Sequence, residues 1–394
     1  MTGELGNFVT GKPSPRHDIV TGKHFVTGKH IVTGKPVPQS RYRNWETCFP
    51  VTIATAETRA FIKWTIIIIA SILSIILIFN IGKIVKEIFY PTPQAPPTVA
   101  YGILPAIEFP VQTQSTQITY TLNTLSGVFP TFPDRASVFP IAKPVPNLLT
   151  IQRARDRVQL LQFSGNGTKI SDGIYSWTSD KPYFQQLIYN VFTENYTYTT
   201  DFLTSFDPSR TLTKSQTNNA QRVFMDFLTT FKSIPSDMDK SKTKITPLTV
   251  QNGSPVEVTS IASASIIRVD LYQQNLNDFP IVYPHPPQST TYGLVGILNG
   301  LHVLNMNYVH QAPSQESATY PIKTAEKAFA DLKKGKGYIA SHQDDATQIG
   351  ITEVSLAYYA SDNDQKFLQP VFVFQGPNEF RAYVPAVTDA WVGK

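Results

Sequence analysis

Few residue groupings in this 394-residue chain have the spacing that chemistry requires. Gly6 to Lys12 reads GNFVTGK, the glycine–lysine spacing of a phosphate-binding loop, but Pro13 stands where a Mg²⁺-binding Ser or Thr is needed. No strand pattern leads into it and no helix pattern leads out. It is a by-product of repetition, since VTGK recurs at 9–12, 20–23, 26–29 and 32–35. Ser241 and Lys244 have S-x-x-K spacing inside the run DKSKTK. A Ser–Lys acyl-transfer pair needs a helix that presents both side chains, and this run reads as a solvated loop. His17, His24 and His30 lie in the repeat tract and read as solvated. His302 and His310 would share one face of an extended strand about 26 Å apart, too far for a common metal ion. Asp344 with Asp345, and Asp362 with Asp364, sit in turn-like contexts, where turn chemistry is their ordinary role. No HExxH, GxSxG or EF-hand pattern occurs. The single cysteine excludes an intramolecular disulfide and any zinc site with two thiolates from this chain. The residues therefore nominate no catalytic, cofactor or metal site, and no enzymatic activity.

The charge sits unevenly. Of the formal +5, residues 1–63 carry nine Lys/Arg against four Asp/Glu, whereas 91–394 hold 23 against 24. The basic character belongs to the N-terminal tail. The large remainder is near neutral and lacks the electrostatic footprint of a nucleic-acid binder. Only 16% of residues are charged and 41% are hydrophobic, which argues against a wholly disordered chain.

Trp64 to Ile81 reads WTIIIIASILSIILIFNI, with no charge and no polar face at any helical phase. As a helix it spans about 27 Å, close to the hydrocarbon thickness of a bilayer. Lys63 and Lys83 bracket the run and can snorkel to the two interfaces, Lys86 follows, and Trp64 suits the interfacial belt. The run begins too far from the N-terminus, and is too long, for a cleaved signal peptide. It reads as an uncleaved signal anchor, and the lipid bilayer is the first expected partner. Arg41, Arg43, Arg59 and Lys63 before it outweigh Lys83 and Lys86 after it. That bias puts the tail in the cytoplasm and the C-terminal region outside the cell membrane.

Chain organisation follows: a disordered basic tail (1–60), an anchor helix (61–89), a Pro-rich stalk opened by PTPQAPP (90–115), and two exported lobes (116–215 and 216–394). Three amphipathic helices are predicted beyond the stalk. The first covers 149–163, with Ile151, Ala154, Val158 and Leu161 on one face. The second covers 219–232, capped by Asn218 with Gln221 in the capping-box position. The third covers 321–333, with Pro321 in its first turn and Gly335 at its end. Strand-like runs lie at 174–178, 186–200, 264–272, 279–283, 291–298, 301–309, 352–360, 370–376 and 380–387. Asn299-Gly300 is a hairpin signal between two of them. Helices grouped with antiparallel hairpins imply an α+β architecture, with the helices packed on the sheets.

PIKTAEKAFADLKKGKG, ITEVSLAYYAS and QPVFVFQGPNEFRAYVPAV together resemble the closing unit of YycI/YycH-type regulatory proteins and of the wider PepSY-like group. Ala325, Ala328 and Phe329 match the helix pattern. Tyr358 and Tyr359 match a tyrosine pair, Pro370, Val371 and Phe372 open the next strand, and Tyr383 stands in the last. IIRVDLYQQNLNDFPIVYP to LNGLHVLNMNYVH resembles the central sheet of the same proteins, with Asp278 where their G-x-P-V turn has glycine. The likeness covers about residues 217–394. The long tail and its repeats are unlike the group, and Asp278 puts the local backbone of that turn in question.

The resemblance implies a non-catalytic, single-pass protein whose exported region, with two PepSY/YycI-like lobes, restrains a membrane sensor kinase or a peptidase. The expected function is therefore a membrane-anchored regulatory or interaction protein with a membrane or cell-surface protein as partner. The alternatives are an envelope enzyme, a peptidase inhibitor, or a structural envelope protein.

Overall fold

The computed structural model describes residues 56–89, 96–112, 118–203, 210–298, 300–342 and 346–393. The chain divides into two compact units, Met1–Pro93 and Gln94–Lys394. The described element of the first is helix α1 (Ala56–Phe89). Within it, Phe61–Lys83 is a 23-residue stretch of mean hydropathy 2.6, none of it buried. It holds the whole run predicted to cross a membrane and is long and apolar enough to do so. The VTGK repeats and the 91–95 part of the PTPQAPP stretch lie outside the described residues.

The second unit is sheet-rich. It begins with β1 (Thr119–Leu122), β2 (Arg135–Pro140) and α2 (Thr150–Gln159). Then come β3 (Thr168–Ser171), β4 (Ile174–Ser179), β5 (Gln185–Asn190), β6 (Tyr196–Thr200) and α3 (Lys214–Thr230). Next are β7 (Met238–Gln251), β8 (Ser254–Glu257), β9 (Ile266–Gln273), β10 (Ile281–Val282), β11 (Thr291–Ile297) and β12 (Leu301–Tyr308). The chain closes with β13 (Ala318–Pro321), α4 (Ala325–Lys333), β14 (Tyr338–Ser341), β15 (Gln348–Ile351), β16 (Glu353–Tyr359), β17 (Phe367–Gln375) and β18 (Arg381–Pro385).

Among the described residues the larger sheet has nine antiparallel strands, in the order β3-β4-β5-β6-β12-β11-β9-β7-β8. The smaller sheet runs β10-β16-β17-β18-β14, with β2 joined to β17 and β13 to β2. The fold is mixed α+β, as the sequence implies. The lobes are not consecutive, however. A boundary at 215/216 would cut the larger sheet between β6 and β7, and β2 crosses over to the smaller sheet. The stalk is also shorter than expected. Leu104 is fully buried and bridges to Val392, and Phe109 stacks 5.2 Å from Tyr338.

Helices α3 and α4 each cover one sheet face. Ala220, Phe224 and Leu228 of α3, with Phe231 capping its end, are fully buried against Ile267, Val269 and Val295 of the larger sheet. Ala325, Ala328 and Leu332 of α4 pack with Phe372, Phe374, Ala382 and Val384 of the smaller one. The helix starts differ from expectation because the caps differ. Thr213 and Gln216 satisfy each other's backbone amides in a capping box, so α3 begins at Lys214 and Asn218 lies inside it. Thr324 caps α4, while Pro321 ends β13. The 186–200 run is a hairpin and not one strand: Asn190 Oδ1 accepts from the amides of Phe192 (2.9 Å) and Thr193 (3.2 Å) and turns the chain. DKSKTK, read as a loop, lies in β7, with a register break between Asp239 and Lys244.

Gly293 of β11 leaves room for α3. A Cβ there would meet the Phe224 ring at 2.4 Å. Gly293→Ala is expected to cost about 1–3 kcal/mol by overpacking, read as a lower urea midpoint of the full chain in detergent. An unchanged midpoint would show that α3 does not seat its Phe224 ring on this strand.

Candidate functional site

Between β9 and β11 the chain leaves the larger sheet, adds β10 to the smaller one, and returns. Tight backbone geometry starts this crossover: Asn277 (φ +48°) and Asp278 (φ +67°) are both left-handed. Asp278 thus adopts the conformation that favours glycine, so the change from glycine leaves the turn in place. β10 then lies parallel to β16, with Tyr358 N–H donating to Pro280 O and Ala360 N–H to Val282 O, both 2.9 Å.

Buried phenols fasten the crossover. Tyr338 donates to Pro284 O at 3.0 Å and Tyr383 to Tyr283 O at 3.2 Å. The Tyr283 hydroxyl accepts from Gln273 N–H at 3.1 Å. Burial pushes the Tyr283 phenol up to about 12, and burial raises Tyr383 as well, against the pull of the Arg381 charge. These hydroxyls therefore keep their protons throughout the physiological range.

A polar knot ties the same seam on the larger sheet. His310 Nε2 lies 2.7 Å from Asp237 Oδ1. Gln273 Nε2 donates to Asp237 Oδ2 at 2.8 Å and to Gln311 O at 3.1 Å. Gln311 in turn donates to Ser361 O (3.2 Å) and Asn363 O (2.8 Å), in the loop that follows β16 of the smaller sheet. Burial opposes ionisation of Asp237, but the His310 hydrogen bond and charge and the Gln273 amide outweigh it. They hold its carboxyl below the usual carboxylate value.

Beside the crossover lies a cleft of about 440 Å³. Its floor is the face of the smaller sheet opposite α4. Period-two alternation selects the floor residues: Arg381 and Tyr383 point here while Ala382 and Val384 pack under α4, and Val373 and Gln375 alternate with Phe372 and Phe374. Pro280 to Tyr283, with Pro286 and Pro287, form one wall, and Tyr272 and Lys242 of the larger sheet complete the rim. Tyr272 donates to Pro287 O. Pro287 and Gln288 also line a second hollow of about 310 Å³ on the larger sheet, with Lys244, Arg268, Asp270 and Glu257. There Arg268 makes a two-pronged pair with Asp270, each contact 2.9 Å, and lies 3.6 Å over the Tyr292 ring.

The residues singled out from sequence do not gather at this cleft. Lys63, Trp64, Lys83 and Lys86 all lie in α1. Lys63, Trp64 and Lys83 are exposed, and Lys83 sits 4.9 Å from the Phe79 ring. His302 and His310 do not share a face, because a β-bulge in β12, where Leu304 is the extra residue between the pairs Leu294–Asn305 and Val295–Val303, breaks the alternation. His302 packs on Tyr183 instead. Asp364 is paired with Lys143. Asp344, Asp345 and the GNFVTGK segment lie outside the described residues. Ser241 donates to Asp239 Oδ1 at 2.6 Å, and as β7 residues Ser241 and Lys244 share no helix. Among the described residues no three His, Cys, Asp or Glu side chains gather as metal ligands. The sequence placed the strands of Arg381 and Tyr272 without marking either residue, and marked Tyr383 only as the tyrosine of the last strand. The usable signal was R-A-Y-V, a cation and a phenol on alternate positions of a strand with a buried opposite face.

No protein family and no curated protein matches the chain. Among solved structures it is similar to the Bacillus megaterium YpeB C-terminal domain, at 16% identity and a TM-score of 0.27, over 62% of this chain and 94% of that one. It is also similar to an uncharacterized protein from Eubacterium rectale, at 13% identity and a TM-score of 0.29, over 66% and 85% of the two chains. Likeness at these scores carries no argument about function.

Asp237 sets a pH test. Its carboxyl titrates below its unfolded value, so its contribution is complete above the ordinary carboxylate range and is lost as pH falls through the depressed folded value. Asp237→Asn is expected to lower stability at neutral pH by about 1–3 kcal/mol, with the gap to wild type closing in acid. Denaturant titrations at neutral and acidic pH measure both. An equal gap at every pH would mean that the carboxylate charge contributes nothing.

Proposed function

We propose that this protein is a membrane-tethered, extracytoplasmic binding protein that regulates a membrane or surface partner and carries out no chemistry of its own. The observation that carries this reading is the pairing of an apolar helix, buried nowhere along 23 residues, with a large near-neutral unit. That unit's main cleft contains hydroxyls, amides and two cations but no carboxylate, cysteine or histidine. Polar groups of this kind bind and orient a ligand, whereas acid–base catalysis needs a group that exchanges protons near neutral pH. The closest histidine–carboxylate contact, His310 with Asp237, is engaged by Gln273 in the seam between the sheets.

The orientation in this proposal comes from the cations that flank α1. Lys63 and the arginines before it stay in the cytoplasm, with Lys63 and Trp64 at the inner interface and Lys83 and Lys86 at the outer one. The large unit then faces the outside of the cell membrane. Partner specificity comes from the cleft and the surface around it.

Protease added to intact spheroplasts should degrade residues 94–394 and spare the tail, and crosslinking in intact cells should recover a membrane protein. Protection of the large unit until lysis would reverse the topology. Repeated recovery of no partner would remove the binding role.

A further inference from the structure

The main cleft is electrostatically one-sided. Arg381 and Lys242 both line it, and among the described residues no Asp or Glu does. Among the described residues the Arg381 guanidinium has no carboxylate or hydrogen-bond partner, although it projects from a strand whose other face is buried. Lys242 contacts Asn275 Oδ1 at 2.6 Å and reaches Asp239 Oδ2 only at 3.5 Å. Three other partly buried cations in this unit are neutralised. Arg157 has Glu194 at 2.9 Å, Arg268 has Asp270 at 2.9 Å, and Lys323 has Asp331 at 3.1 Å and Asp389 at 2.7 Å. A planar guanidinium left open on a groove floor is shaped to receive a carboxylate in a two-pronged contact.

The walls say what must accompany that anion. Tyr272, Tyr283, Tyr383, Ile281 and Val373 surround the two cations. A polyphosphate chain, hydrated along its whole length, has nothing to bury against rings and branched aliphatics. An extended peptide that alternates apolar side chains with carboxylates does, because its successive residues point to opposite sides. The path is long enough for such a strand. Pro287 and Gln288 line both the cleft and the neighbouring hollow, which holds Lys244, Glu257 and the Arg268–Asp270 pair.

We infer that the cleft between the crossover and the open face of the smaller sheet binds an extended, acidic peptide segment of the partner, with Arg381 and Lys242 receiving its carboxylates. The inference rests on the partner-binding reading above and names the chemistry of that partner.

The test uses the full-length chain in nanodiscs of zwitterionic lipid. The probe is a fluorescent synthetic peptide in which leucine and glutamate alternate. It should bind in a salt-dependent way, and Arg381→Gln and Lys242→Gln should each weaken it by about tenfold, the loss of one charge-assisted contact. Because Lys242 is exposed, its variant keeps the test open should Arg381→Gln fold poorly. Equal binding of a leucine–lysine peptide would overturn the inference, as would unchanged affinity in both variants. Tighter binding of poly(glycerol phosphate) than of the acidic peptide would also overturn it and point to an anionic polymer instead. A photo-crosslinker placed at Gln288 in cells separates the two levels of the reading. Capture of a partner at Gln288 supports both. Capture elsewhere on the unit but not at Gln288 sinks the cleft and leaves the binding role standing.

Discussion

The crossover from β9 to β11 is the constraint on which the rest of the large unit depends. One short excursion gives the smaller sheet its β10 edge and returns to the larger sheet within the same stretch of chain. Everything near it is arranged to satisfy backbone groups that such an excursion would strand. Tyr338 and Tyr383 reach carbonyls of Pro284 and Tyr283, Tyr283 receives an amide of β9, and Tyr358 and Ala360 give their amides to the incoming strand. Each unmet buried polar group would cost a few kcal/mol. The phenols therefore fix the relation of the two sheets more tightly than apolar contact alone, which has no preferred direction.

That fastening has a consequence for binding. A sheet with α4 on one face must leave its other face to something. Residues near Leu104 to Phe109 cover part of it, and Phe109 closes over Tyr338 and Tyr359. The crossover walls off the remainder without filling it. Arg381 stays half-open on a floor whose geometry is set by the layers beneath, beside the buried ring of Tyr383. A site held by strands and buried phenols is preorganised, so little is lost in ordering it when a ligand enters. The Asp237–His310–Gln273 knot lies on the opposite side of the same segment. It has the attributes of a catalytic dyad by composition alone, but its hydrogen bonds are spent within the larger sheet, and Gln311 beside it makes the link to the loop after β16.

Sequence patterning made the main elements legible. Helical periodicity marked α2, α3 and α4, and most strands appeared as alternating or continuous apolar runs. What it missed has local causes. Capping decided the helix starts, and Thr213 with Gln216 out-competed Asn218 because their side chains and backbone amides pair reciprocally. Asn190 broke one apparent strand into a hairpin through its own side chain. The β-bulge in β12 separated His302 from His310, and no pattern of polar and apolar residues foretells a bulge. The interleaving of the two sheets was hidden for a different reason. It depends on pairings between residues as distant as Phe139 and Leu368, and period alone says nothing of partners. The cleft was hidden with it, since Arg381 becomes a candidate only once α4 is seen to cover the other face.

The claim that gathers these observations is that a lipid-embedded helix holds a ligand-binding, sheet-rich unit at the cell surface. Extraction of native membranes with alkaline carbonate tests it most directly, followed by detection of full-length chain in pellet and supernatant. A helix that crosses the bilayer keeps the protein in the pellet, and detergent then releases it. Full-length protein in the carbonate supernatant would show that Phe61–Lys83 does not span the lipid, and the tethered arrangement would be wrong.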